Sequence, residues 1–496
     1  MKHTYLFRKI VAIIVTLAIM LPVFACTPRQ QVEATPKPSV AIETPEPDLN
    51  PYKGDGSEYV SIYTDERDKA CEADVVKFAD VFLNPYHGHP KLTDVDTTVQ
   101  TYVTPFAHED QLKNFFNPAL RAEFLKRINE LIFSIPDLTN FEIIARLAET
   151  VALLKDGHSW VYLPMEKQFP LELLLFPNET GVELYVNGTT DAYEDCLTAR
   201  LDAINGVSIN EIIERTKPFE SYEAEPLLYD QARYNAINWN ILNHIGVVDD
   251  SGNAVYSFTD ASGNSFDKEI YTVNSQNEED IKMIRYLDLG ALVDTYEDDS
   301  LISMYDTSNF EYRYLKEDTV LYLRINSLWI DNGRDDGKKR IYDMFDKISD
   351  ENKPIESIVV DFRQNGGGRP DLASALITQL NKYDESVKKY ILISEVTYSA
   401  GIVSAACLRR GVSNAILVGS PGGAPATMFT AIEGVENNNF LKLPHLNTYY
   451  GAGKNLAVDG WPGYKEYTLM PDEVIYQTYE DYLNGVDTVL KALLTR

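Results

Sequence analysis

The run Val359-Val-Asp-Phe-Arg-Gln-Asn-Gly-Gly-Gly368 carries a β-branched strand straight into three glycines, with a helix expected from Asp371. Glycines at such a junction let the backbone approach a ligand closely and turn its N–H groups toward one point. The following helix N-terminus adds its own partial positive charge. The device suits an anion, either a phosphate or a developing oxyanion. It has neither the Lys-Ser/Thr ending of a P-loop nor the spacing of a dinucleotide fingerprint. Taken alone, it could also be a turn that only joins strand to helix.

A second junction of the same kind follows. Tyr390-Ile-Leu-Ile-Ser-Glu-Val-Thr-Tyr-Ser399-Ala-Gly places a serine at the mouth of a helix, with the small residues Ala400 and Gly401 behind it. Small neighbours leave a path to Oγ, and the Ala400 N–H can join Gly367 or Gly368 around a tetrahedral oxyanion. Serine is also an ordinary N-cap, which is the alternative for Ser399 taken singly. A serine hydroxyl needs a base. Among seven histidines, His158 in Lys155-Asp-Gly-His-Ser-Trp has the most constrained setting, a helix-to-strand corner. His87 and His89 lack convergent partners and read as a polar turn rather than a metal site.

These groups need a scaffold that brings distant segments together. From residue 300 onward strand and helix alternate: strands at 320–325, 355–362, 390–393 and 415–418, helices at 338–348, 372–380 and 399–409. Such alternation implies a largely parallel sheet covered by helices. Neighbouring strands then put both junctions on the C-terminal edge, where ligands usually bind. Residues 60–167 read as helical, with apolar spacing of three and four over 111–135 and 140–155 and Asn140 as an N-cap. Residues 168–285 read as short strands at 171–176, 182–186, 199–204 and 254–258.

The chain has 496 residues, enough for two or three domains, and 45 Lys+Arg against 75 Asp+Glu give a net charge of −30. So acidic a surface argues against nucleic acid and against a basic membrane patch. Membrane association must come from an anchor. Lys2, Arg8 and Lys9 precede an apolar run over 10–24, and Leu21-Pro-Val-Phe-Ala-Cys26 closes it. That segment is similar to the lipobox of bacterial lipoproteins, which implies cleavage before Cys26 and lipid attachment to its thiol; a plain signal peptide or an uncleaved helix is the alternative. Residues 26–59 are rich in Pro, Thr and Glu and read as a tether. Cys71, Cys196 and Cys407 form neither a disulfide framework nor a metal pattern.

Asp361-Phe-Arg-Gln-Asn-Gly-Gly-Gly, Thr397-Tyr-Ser-Ala, Leu417-Val-Gly-Ser-Pro-Gly-Gly, Asp156-Gly-His and Met470-Pro-Asp together resemble the C-terminal-processing (tail-specific) serine peptidases, which include the tricorn-core proteases. The resemblance runs from about residue 140 to the end. It implies a multi-domain α/β chain with a helical N-terminal part, a PDZ-like β module over 168–285, and a crotonase- or ClpP-like catalytic domain over 300–496. It implies Ser399 as nucleophile and the Gly367/Gly368 loop as oxyanion hole. Many members use a Ser-Lys dyad, but the loop after the Val-Gly strand reads Gly419-Ser-Pro-Gly-Gly-Ala-Pro-Ala-Thr and has no lysine. The resemblance therefore points to the tricorn-core-like branch, where a histidine ahead of the PDZ-like module faces the serine. That branch carries a serine before the histidine and a distant glutamate; here the first position is Gly157, Glu466 is the nearest match for the second, and Asp156 is the rival orienter.

The expected protein is a lipid-anchored, extracytoplasmic serine endopeptidase acting on peptide or protein substrates, with no metal or organic cofactor. The alternative is a non-catalytic peptide-binding lipoprotein that keeps the fold. An acyl-thioester enzyme is disfavoured by the export signal.

Overall fold

In the strand Val320–Arg324, Leu321 and Leu323 point to one side and Val320 and Tyr322 to the other, as a pleated strand buried on both faces requires. The computed structural model describes residues 51–83, 118–286, 309–329, 336–426, 428–431, 440–456 and 468–496. The expected leader, Cys26, the tether, His87, His89 and Glu466 lie outside the described residues. Among the described residues no helix is long and apolar enough to cross a membrane.

The central sheet runs in the order Glu311–Leu315, Val320–Arg324, Ser357–Asp361, Lys388–Ile393, Ala415–Gly419, Glu473–Val474. The first pair is antiparallel and every later pair is parallel. One face packs Ile358, Val360, Ile391, Ile393 and Leu417 against the helices Asp336–Glu351, Ala373–Leu380 and Ala400–Gly411. The other packs Val359, Tyr390, Leu392 and Val418 against Val489, Leu490 and Leu493 of the last helix, Thr488–Leu494. The expected strand–helix alternation is present, extended by two edge strands.

The N-terminal helices are Glu66–Leu83, Pro118–Ser134 and Asn140–Ala152. The third is capped by Thr139, not Asn140: Thr139 Oγ1 accepts from the Glu142 N–H while Glu142 reaches back to the Thr139 N–H. Asn140 is its first helical residue. The core of this part includes Leu443, Leu446, Tyr450 and Ala452 from far along the chain. Leu443 and Tyr450 lie in a small sheet in which Thr448–Gly451 pairs with Leu441–Leu443 and with Trp160–Val161; Leu446 is in the turn between the first two strands and Ala452 just follows. A segment within the expected 300–496 domain is thus buried in the helical part.

The middle region is an antiparallel sheet ordered Arg285–Tyr286, Gly181–Thr189, Arg200–Ile204, Asn253–Thr259, Ser265–Tyr271, with Leu171–Asn178 also paired to Gly181–Thr189. The helices Ile209–Thr216, Glu225–Asn235 and Trp239–His244 contribute to the core it shares. Phe176 and Tyr185 of this region meet Tyr479 and Tyr482 near the C-terminus, with the Tyr185 and Tyr479 rings stacked 3.7 Å apart. Aromatic stacking of this kind fixes one module against the next.

Candidate active site

The parallel neighbours Ser357–Asp361 and Lys388–Ile393 end side by side, Asp361 opposite Leu392, so the loops that leave them start together. Side chains stitch those loops. Ser394 Oγ donates to the Arg363 carbonyl at 2.6 Å and Thr397 Oγ1 to the Phe362 carbonyl at 2.9 Å. The Tyr398 N–H donates to the Asn365 carbonyl at 3.0 Å. Below them Arg363, buried, pairs with Asp361 and with Asp487, both at 2.6 Å. Asp487 also caps the last helix by accepting from the Leu490 N–H, so the triad ties the root of the glycine loop to the far side of the sheet.

Ser399 stands immediately before the helix Ala400–Gly411 with φ 51° and ψ −127°. For a residue with a side chain this conformation costs on the order of 1–3 kcal/mol and persists only where the surroundings impose it. It presents Oγ outward rather than as a cap, since Ser399 makes no side-chain cap hydrogen bond. The helix approaches the glycine loop closely because position 401 is glycine: a Cβ there would lie 2.4 Å from the Asn365 carbonyl oxygen.

The glycine loop lies against the serine. Gly367 has φ +124° and Gly368 φ +130°, and a Cβ on Gly368 would lie 2.1 Å from the Leu328 carbonyl carbon. The Gly367 N–H donates to Asn365 Oδ1 at 2.9 Å. Its contribution is therefore open space beside Ser399, which leaves the amides of Gly368 and Ala400 as the candidate oxyanion donors of the expected set. The side chain of Asn365 is itself fixed, Nδ2 donating to the Ile325 carbonyl at 2.7 Å.

His158 arrives from the helical part, on the turn between Asn140–Ala152 and Trp160–Val161. Its Nε2 lies 3.0 Å from Ser399 Oγ although the residues are 241 positions apart. Asp156 Oδ1 accepts from the His158 backbone N–H at 2.9 Å, and Oδ2 accepts from Ser159 Oγ at 3.0 Å. Burial, and secondarily the Glu223 carboxylate, push the Asp156 carboxyl up to about 6. Its nearest approach to His158 Nδ1 is 3.8 Å, too long for a hydrogen bond.

Two side chains that sequence reasoning missed occupy the Nδ1 side. Tyr398 Oη lies 3.0 Å from Nδ1, and the two rings stack with centroids 4.8 Å apart. Tyr398 Oη donates to Glu223, 3.2 Å from each carboxylate oxygen. Burial, then the Glu223 and Asp156 charges, hold the phenol well above its usual range, so it stays protonated. Glu223 comes from the middle region, just ahead of the helix Glu225–Asn235, and its side chain is only 7% exposed. Tyr398 was visible in sequence as the flank of Ser399; nothing local distinguishes Glu223 from its acidic neighbours.

Asp156, His158 and Glu223 offer ligand atoms within 4.8 Å of one another, a spacing a metal could use. Each of their carboxylate oxygens accepts a hydrogen bond, from the His158 N–H and Ser159 Oγ at Asp156 and from Tyr398 Oη at Glu223, so the three side chains are joined in one hydrogen-bond network. Beside Glu223 a cleft of about 450 Å³ opens between the middle region and the sheet edge, lined by Tyr222, Tyr229, Glu395, Ser420 and Tyr476 among others. Of the expected site residues, Ser399, His158, Gly367, Gly368 and Ala400 meet at the sheet edge, with Asp156 beneath; Glu466 and Cys26 lie outside the described residues.

No protein-family model and no curated protein matches this sequence. Solved structures do. Mature CPAF superimposes with a TM-score of 0.52 at 12% identity over 86% of this chain and 96% of that chain. Mature CPAF complexed with lactacystin gives 0.52 at 12% over 86% and 97%. The tricorn protease covers 86% of this chain and 37% of its own at 13% identity, with a TM-score of 0.36. A mixed α/β, multi-domain fold shared with CPAF is what carries the strand-end site.

Proposed function

We propose that the chain is a serine-type peptidase in which Ser399 is the nucleophile and His158 the general base. The observation that carries this reading is the 3.0 Å contact between His158 Nε2 and Ser399 Oγ beside the glycine loop. As Oγ attacks the scissile carbonyl, Nε2 takes its proton. The carbonyl oxygen becomes an oxyanion beside the Gly368 and Ala400 amides and the N-terminus of the Ala400–Gly411 helix. His158 then delivers the proton to the leaving amine, and water enters by the same route to release the acyl group. The missing lysine after Ala415–Gly419 supports a Ser-His pairing and hence the tricorn-core-like branch.

The rest of the reading comes from the sequence. Cys26 would carry the lipid anchor, residues 26–59 would tether the body outside the cytoplasm, and the middle sheet would serve as the PDZ-like module that holds an extended peptide. The substrate is a peptide or protein, and no cofactor is required by the steps above.

The test is peptide hydrolysis and fluorophosphonate labelling of wild type, Ser399→Ala and His158→Ala. Labelling at Ser399 that is lost in both variants is expected, with hydrolysis falling to background. Wild-type turnover in Ser399→Ala ends this mechanism. Peptide binding without labelling would favour a non-catalytic binding protein instead.

A further inference from the structure

We infer that Glu223, acting through the Tyr398 hydroxyl, is the positioning residue for His158, so that the middle region completes the catalytic site. The inference rests on the Ser-His reading above and adds the group that fixes the base.

Three contacts form one line: Ser399 Oγ to His158 Nε2 at 3.0 Å, His158 Nδ1 to Tyr398 Oη at 3.0 Å, and Tyr398 Oη to Glu223 at 3.2 Å. For Nε2 to accept the serine proton, Nδ1 must carry the ring hydrogen. That N–H then donates to Tyr398 Oη, and the single phenolic hydrogen is left for Glu223. Each contact receives one proton and no donor faces another. When His158 becomes imidazolium, its charge meets the oxygen of a phenol already polarised by a carboxylate. Asp156 and Glu223 both come no nearer to Nδ1 than 3.8 Å; Glu223 reaches it through Tyr398, whereas Asp156 accepts from the backbone N–H of the corner.

Position 157 carries an independent sign of the same arrangement. A Cβ on Gly157 would lie 2.5 Å from Tyr398 Oη and 2.7 Å from Glu223 Oε2. Any side chain before the histidine would occupy the space the line needs. The glycine that stands where the tricorn-core-like branch carries a serine leaves room for Tyr398 and Glu223.

The experiment uses the full chain and the variants Tyr398→Phe, Glu223→Gln and both together. Each single change is expected to lower kcat about 10²- to 10³-fold with KM within about twofold. The double variant is expected to be no worse than the poorer single, because the residues act in series. In ¹⁵N-histidine-labelled protein, the downfield Nδ1–H resonance of His158 should disappear in Tyr398→Phe and move upfield in Glu223→Gln. Additive losses, wild-type kcat in Glu223→Gln, or a resonance that responds to Asp156→Asn or Glu466→Gln but not to Glu223→Gln would each overturn the inference. If wild type neither hydrolyses peptide nor labels, the peptidase reading fails by itself, and the resonance still decides the hydrogen-bond line.

Discussion

Gly367 stands so close to Ser399 that a Cβ at 367 would lie 2.8 Å from Ser399 Cβ and 3.3 Å from the Ala400 nitrogen. A methyl group there would intrude on the space proposed for the oxyanion and would also strain a residue at φ +124°. Gly367→Ala is expected to reduce turnover about 10²- to 10³-fold, comparable to losing an oxyanion donor. Far-ultraviolet circular dichroism should stay unchanged. Near-normal turnover in a folded Gly367→Ala protein would show that the oxyanion forms elsewhere.

Strain at the nucleophile should be measurable as stability. Ser399→Gly places a residue without a Cβ at φ 51°, ψ −127° and is expected to stabilise the fold by about 1 kcal/mol in urea denaturation, while abolishing hydrolysis. Ser399→Ala removes the hydroxyl but keeps the Cβ, so it should not gain this increment. A Ser399→Gly variant less stable than Ser399→Ala by about 0.5–1 kcal/mol, the ordinary entropic cost of glycine, would mean the backbone is unstrained.

Asp156 gives a pH signature. Its carboxyl titrates at about 6, above the usual 3.8, so folding takes up a proton there. Its contribution to stability is favourable below the unfolded value and is lost as pH rises through about 6. Asp156→Asn should therefore be more stable than wild type at pH 8, by about 1–3 kcal/mol, with little or no such gain at pH 4. Turnover should show the converse: about tenfold lower than wild type at pH 8, where the charge assists the imidazolium, and converging with it at pH 5. A ratio constant across that range would remove Asp156 from the electrostatics of the site.

The buried Asp361–Arg363–Asp487 triad at the root of the glycine loop predicts a stability defect. Asp487→Ala removes one carboxylate from a guanidinium that is 5% exposed and uncaps the last helix. The expected loss is about 3–5 kcal/mol in urea midpoint analysis. A loss below 1 kcal/mol would mean that Asp361 alone satisfies Arg363.

Much of this was legible in the sequence, for physical reasons. Strands buried on both faces read as apolar runs, so 355–362 and 390–393 stand out in sequence, where the structure has Ser357–Asp361 and Lys388–Ile393, and the three glycines after the first mark a close backbone approach. His158 could be singled out because a helix had to end and a strand begin around it. Glu223 could not. It is one acid among 75, sits in a loop without periodicity, and acquires a role only through the docking of the middle region. The edge strand Glu311–Leu315 pairs on one side only, and its Glu311 and Arg313 break the apolar run by which the inner strands are recognised.

The pairing of Trp160–Val161 with Thr448–Gly451 has a temporal consequence. The corner that bears the imidazole is clasped by a ribbon encoded nearly three hundred residues later. A growing polypeptide must therefore be extended through residue 451 before that clasp can close. The segment that bears Ser399 is made before that point, so Ser399 and the His158 corner are locked together only when the ribbon docks.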